Sequence, residues 1–392
     1  MKHVYLHIGL EKTGTKSLQV FLAANESALR AKGYSYLCDD VKPYFQEVGH
    51  FPVAACFSSE CPDFVLPSKF RPAAEVLGEL RRDVGLCDKH VILSCEHFSS
   101  RLRDVSALQA IREALPNRSA KVICYLRRQD EFALAAYSTA VLSGRRRPFR
   151  VDQVTAKHRY YNFQETLELW GSVFGRESIL VREFDRKRFV DGDVRRDFLG
   201  LLGIDDAGFC FGGDENVSLD AQQVEALRQI NFHLPRFDEG GPEAYALAMT
   251  IRRVVIEHLP KGDPLGAMLL KGKRSLIMES FRSSNALLSS MFPGCSFVAD
   301  WQTVRNAQRS RPIALTSKEF AGTVARLGRR LVESSREVAK LKSELASANN
   351  ELAMLRGRLN DTTPSPPPGV PATDSLVMNC VRAVKRRLGR GD

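Results

Sequence analysis

Near-continuous apolar runs of strand length alternate with segments of helical period over residues 2–206. Residues 4–8, 90–96, 121–126 and 178–181 are rich in Val, Ile, Leu, Cys and Tyr, and residues 34–37 add a shorter run. Between them, residues 18–32, 73–84, 108–115, 130–142, 161–174 and 194–202 read as helices; Leu77, Leu80 and Val84 share one face, for example. Strands apolar on both sides and separated by helices predict an α/β fold, a parallel sheet flanked by helices. Ligands of such sheets sit beyond the carboxyl ends of the strands. Gly9, Glu96 and Arg128 fall at or just past such ends.

Residues 217–307 read as helical and irregular and complete the same domain, spanning residues 1–310. From Phe320 the period changes. Phe320, Val324, Leu327, Leu331, Ser334, Val338, Leu341, Leu345, Ala348, Leu352, Leu355 and Leu359 follow an unbroken four-three alternation. That is the seam of a coiled coil over residues 317–360, although one amphipathic helix lying on its own domain has the same signature. The seam predicts a homo-oligomer, a parallel dimer first, with Ser334 and Ala348 its weak points. Residues 361–374, containing Pro364, Pro366, Pro367 and Pro368, read as a stiff linker. In residues 375–392, Leu376, Val377, Val381, Val384 and Leu388 recur at helical spacing among Arg382, Lys385, Arg386, Arg387 and Arg390. The tail reads either as a basic amphipathic helix in peripheral membrane contact or as a disordered basic segment.

Composition narrows the partners. The 392-residue chain is 44% hydrophobic, enough for a substantial core, and carries a formal net charge of +11. Such a charge suits an anionic cofactor, an acidic acceptor or a membrane surface. No nucleic-acid recognition motif accompanies it, so no nucleic acid is expected. The nine cysteines are odd in number, lack a C-x-x-C pair and include several in apolar runs. They read as reduced thiols rather than disulfides or zinc ligands, and no other metal-ligand cluster stands out. No apolar run has the ~20 residues of a membrane span. The expected location is the cytoplasm, without leader or anchor, and at most peripheral at the inner membrane surface.

Residues 3–19, HVYLHIGLEKTGTKSLQ, form the most informative stretch. A short strand leads into a loop with Gly9 and Gly14, then into a helix whose free N–H groups and dipole favour a phosphate. Gly9 and Gly14 have the separation of the triphosphatase loop G-x-x-x-x-G-K-[ST]. Here Thr15 follows the second glycine, Lys16 comes one residue late, and Lys12 sits inside the loop. The arrangement K-T-G-T-x-S over residues 12–17 closely resembles the sulfotransferase loop that grips the 5′-phosphosulfate of 3′-phosphoadenosine 5′-phosphosulfate (PAPS). The bacterial branch commonly reads I-G-x-x-K-T-G-T-T-S-L-Q, and this chain departs from it at Lys16. The resemblance spans roughly residues 1–300.

The resemblance implies a P-loop-type fold and sulfuryl transfer from PAPS, released as adenosine 3′,5′-bisphosphate, to a hydroxyl of a carbohydrate or glycolipid. It assigns Lys12 to the leaving phosphate, and Thr13, Gly14, Thr15, Lys16 and Ser17 to the 5′-phosphate through N–H and hydroxyl groups. Glu96, closing an apolar strand, takes the place of the base that accepts the acceptor's proton, with His97 the alternative. Arg128, in the run YLRRQD, matches the 3′-phosphate ligand. The serine usual eight residues later falls on Ala136; Ser138 is nearby, but about 160° away around an ideal helix on the geometry of, and Thr139 lies closer to the required face. Lys271-Gly272-Lys273-Arg274 reads as a basic flap or a surface turn, and Arg145-Arg146-Arg147 as a contact for an acidic acceptor or a solvated loop. Two other functions stay open: a P-loop kinase or NTPase with Glu96 on the magnesium side, and a degenerate sulfotransferase-like scaffold working through its coiled coil.

Overall fold

The computed structural model describes residues 2–212, 219–259, 262–269 and 271–292, with single helical positions between residues 337 and 351. The chain divides into two units, residues 1–323 and 324–392. The heptad seam lies outside the described residues except at those single positions, and the linker and basic tail lie wholly outside them.

Five strands form one parallel sheet: β1 (His3–His7), β2 (Tyr34–Ser35), β3 (His90–Ser94), β4 (Ser119–Leu126) and β5 (Ile179–Glu183), in the order β2-β3-β1-β4-β5. β1 lies between β3 and β4, with Leu6 opposite Leu93 on one side and Val122 on the other. Val4, Leu6, Val91, Leu93, Val122 and Cys124 are fully buried. This is why the central strands read as unbroken apolar runs.

The helices are α1 (Thr15–Ala24), α2 (Glu26–Ala31), α3 (Phe51–Ala55), α4 (Ala73–Leu86), α5 (His97–Arg101), α6 (Val105–Glu113), α7 (Gln129–Leu142), α8 (Phe163–Phe174), α9 (Val194–Leu201), α10 (Ala221–Ile230), α11 (Phe237–His258), α12 (Lys271–Ser280) and α13 (Arg282–Met291). α1 packs on α9, α8 covers β4 and β5, and α6 bridges α4 and α8. α10 and α12 pack on α7. No described helix is long and apolar enough to cross a membrane.

The chain leaves β1 toward β2 on one side of the sheet and leaves β4 toward β5 on the other. The carboxyl ends of β1 and β4 therefore flank a topological switch point, where neighbouring loops diverge and leave a crevice. The helix expected over residues 18–32 starts at Thr15 and breaks at Asn25. Asn25 Nδ2 donates to Phe21 O (2.8 Å) and Cys210 O (3.0 Å), and its Oδ1 accepts from Cys210 N (2.8 Å). That break is fixed by a partner 185 residues away.

Candidate functional site

The loop after β1 is wound by three residues in the left-handed region: Gly9 (φ 70°), Lys12 (φ 65°) and Gly14 (φ 75°). Gly14 caps α1, and a side chain there would press on Val194 and Phe184. Thr13 Oγ1 donates to Leu10 O at 2.6 Å, and Thr15 Oγ1 donates to the same oxygen at 3.1 Å. Both hydroxyl protons thus brace the loop instead of facing a ligand, unlike the role the sequence suggested. The donors left for an anion are backbone N–H groups, the Ser17 hydroxyl and the two lysines. The bond from Leu18 N–H to Gly14 O (3.0 Å) is the first of α1, and among the described residues no side chain caps the N–H groups of Thr15, Lys16 and Ser17 before it. Lys16 points to solvent, whereas Lys12 is partly buried.

Gly9 brings the loop against the end of β3. A Cβ on Gly9 would lie 2.8 Å from Glu96 Cα, so glycine is required both by φ and by space. Glu96 precedes α5, but its carboxylate does not cap that helix; Oε2 accepts from Gln19 Nε2 at 2.9 Å. His97 turns elsewhere, stacked on Phe64 with ring centroids 3.8 Å apart and Nδ1 3.6 Å from Glu11 Oε1. Burial lowers the Lys12 pKa, and Glu11 and Glu96 oppose that shift.

Glu11 was not legible as a site residue in the sequence. Its Oε2 accepts from Tyr160 Oη at 2.7 Å. Burial disfavours its charge, but His97 and Tyr160 outweigh burial and bring its pKa down to about 2. Glu11 and Lys12 open onto a cleft of about 380 Å³ between the residues after β3 and the outer half of α7. Ala136 and Thr139 line this cleft; Ser138 does not, and its side chain is buried. Each helical step rotates a side chain by about 100°, which carries residue 138 away from the face that 136 and 139 share.

The two arginines after β4 diverge. Arg127 Nη1 donates to Lys12 O at 3.4 Å, and its guanidinium lies 5.9 Å from the centre of the Phe184 ring. Arg128 is the N-cap of α7 and bonds both oxygens of Asp130, at 2.7 and 3.1 Å. Asp130 is fully buried and also accepts from Arg274 Nη1 at 2.5 Å. Arg274 therefore ties α12 to α7 rather than covering a ligand. The 145–147 run also splits. Arg146 pairs with Glu239, Arg147 is exposed, and Arg145 lines the cleft.

The site thus joins an open helix N-terminus, a half-buried lysine and two carboxylates at the carboxyl edge of the sheet. Such a set can hold a multivalent anion, neutralise charge on a leaving oxygen and accept a proton.

No family model matches the chain. Over 204 residues, 50% of the chain, it is 31% identical to an uncharacterized protein of Archaeoglobus fulgidus, and it spans about half of that relative's length (52%). Among solved structures, a sulfotransferase from Alicyclobacillus acidocaldarius is similar with a TM-score of 0.35 and 18% identity, over 58% of this chain and 91% of that one.

Proposed function

We propose that the protein is a sulfotransferase that moves a sulfuryl group from PAPS to a hydroxyl of a carbohydrate or glycolipid. The loop over residues 9–17 carries the reading. Its lysine precedes the second glycine, its threonine hydroxyls are turned inward to Leu10 O, and the first N–H groups of α1 lie open at the switch point. These N–H groups receive the 5′-phosphate, and PAPS supplies the sulfuryl group. Lys12 neutralises the bridging oxygen as the S–O bond to phosphate breaks and its electron pair moves there.

Glu96 accepts the proton of the attacking hydroxyl. Its carboxylate accepts a bond from Gln19 and bears electrostatically on Lys12. Glu11 is the poorer base, because a pKa of about 2 leaves little affinity for a proton. Arg128, oriented by Asp130, is assigned to the 3′-phosphate, and Ser138 is given no part in it because its side chain is buried. Residues 317–360 are proposed to form a homo-oligomer, and the basic tail to touch an anionic membrane.

Transfer of ³⁵S from labelled PAPS to a panel of glycans and glycolipids tests the reading. Lys12→Ala is expected to lower turnover about 10²–10³-fold, and Glu96→Gln about 10²–10⁴-fold. Nucleotide binding without transfer to any acceptor would instead favour the scaffold.

A further inference from the structure

The cleft beside Lys12 is strongly basic. Among the described residues its wall carries one carboxylate, Glu11, against Lys12 and four arginines. Arg150 is neutralised by both oxygens of Asp152, at 3.2 and 2.5 Å. No carboxylate lies within ion-pair distance of Arg101, Arg103 or Arg145 among the described residues. Their contacts are with carbonyls and rings. Arg103 Nε donates to Ser100 O (3.0 Å), Arg145 Nε donates to Arg147 O (3.3 Å), and the Arg101 and Arg145 guanidinium groups lie 5.6 and 5.3 Å from the Phe64 and Tyr137 ring centres. Burial, Arg159 and Arg101 lower the Arg103 pKa against the opposing charge of Glu165, the direction expected where like charges crowd a half-buried guanidinium.

Guanidinium groups gathered in a concave site without a carboxylate in direct contact are matched to an anion from outside. Aromatic side chains share the wall: Tyr137, Phe149, Tyr160 and Tyr161 all line the cleft. The volume of about 380 Å³ is that of a small-ligand site. The cleft meets the proposed reaction centre at Lys12, whereas neither Glu96 nor the open N–H groups of α1 are in its wall.

We propose that the cleft binds the acceptor and selects one that already carries an anionic group, a carboxylate, sulfate or phosphate on a sugar, held by Arg101, Arg103 and Arg145. The assignment rests on the sulfuryl-transfer reading. It makes the arginines specificity residues for the acceptor, distinct from the nucleotide-binding loop.

Calorimetric titration of the full chain tests it, with glucose, glucuronate, glucose 6-sulfate and glucose 6-phosphate as probes, each with and without adenosine 3′,5′-bisphosphate. At least one anionic sugar is expected to bind about 10-fold or more tighter than glucose, the value of one charge-assisted contact. Arg101→Gln with Arg103→Gln should erase that preference while leaving adenosine 3′,5′-bisphosphate affinity within about 2-fold. Arg145→Gln alone, judged folded by its thermal melt, should weaken the preference in the same direction. Equal binding of glucose and all three anionic sugars would overturn the proposal. So would loss of nucleotide affinity in the arginine variants, which would give these side chains to the cofactor. Failure of the unsubstituted chain to bind the nucleotide, with sugar preference intact, would overturn the sulfuryl-transfer reading instead.

Discussion

Lys12 lies within the influence of two carboxylates, Glu11 and Glu96, held by different partners. Its left-handed backbone and the close approach of Gly9 to Glu96 store the geometry of the site in single residues. Gly9→Ala should therefore do two things at once: strain φ and push Glu96 away. A loss of about 1–3 kcal/mol in urea unfolding is expected from strain of this kind. Two buried histidines set a pH dependence of stability. His7, whose Nδ1 is 2.8 Å from Ser94 Oγ, and His50, whose Nδ1 accepts from Ser94 N at 3.2 Å, both have pKa values lowered by burial from 6.5 to about 3. Above pH 6.5 folded and unfolded states are both neutral at these positions. As pH falls from 6.5 toward 3 the unfolded chain takes up protons that the folded chain refuses. Each histidine should then cost up to about 1.4 kcal/mol per pH unit. Denaturant midpoints measured from pH 7 to 4 should fall, and less steeply in His50→Gln if that variant folds.

At the scale of elements, α7 carries the most structural duty near the site. Asp130 holds Arg128 at its start and Arg274 of α12, and Gln129 and Asn285 of α13 exchange two side-chain bonds (2.7 and 3.2 Å). Removing the carboxylate leaves two guanidinium groups without it in a buried place, so Asp130→Ala should lose about 3–5 kcal/mol by chemical denaturation. Sequence patterning revealed these elements better than their duties. The strands were legible because β1, β3 and β4 are apolar on both faces, and helix ends such as those of α4 and α7 moved by two residues or fewer. The loop after β1 was legible because Gly9, Lys12 and Gly14 sit at a fixed spacing. Glu11 was not, since a carboxylate in a loop looks the same whether solvated or clasped by Tyr160. Arg101 and Arg103 belong to no motif, and only the fold sets them around a cleft with α7. The inward turn of Thr13 and Thr15, and the engagement of Arg128 by Asp130, depend on local geometry that residue type alone does not carry.

For the molecule as a whole, the parallel sheet places the phosphate-type loop, Glu96 and the arginines after β4 on one edge, beside a basic cleft. The proposed function requires this edge to receive a 3′-phosphorylated adenosine nucleotide rather than a magnesium triphosphate. Equilibrium titration of the full chain with adenosine 3′,5′-bisphosphate and with ATP, each with and without magnesium, addresses it most directly. The expected result is saturable binding of the bisphosphate that does not require magnesium and falls by about 10-fold or more in Lys12→Ala, with ATP the weaker ligand. Tight magnesium-dependent ATP binding with no affinity for the bisphosphate would contradict it.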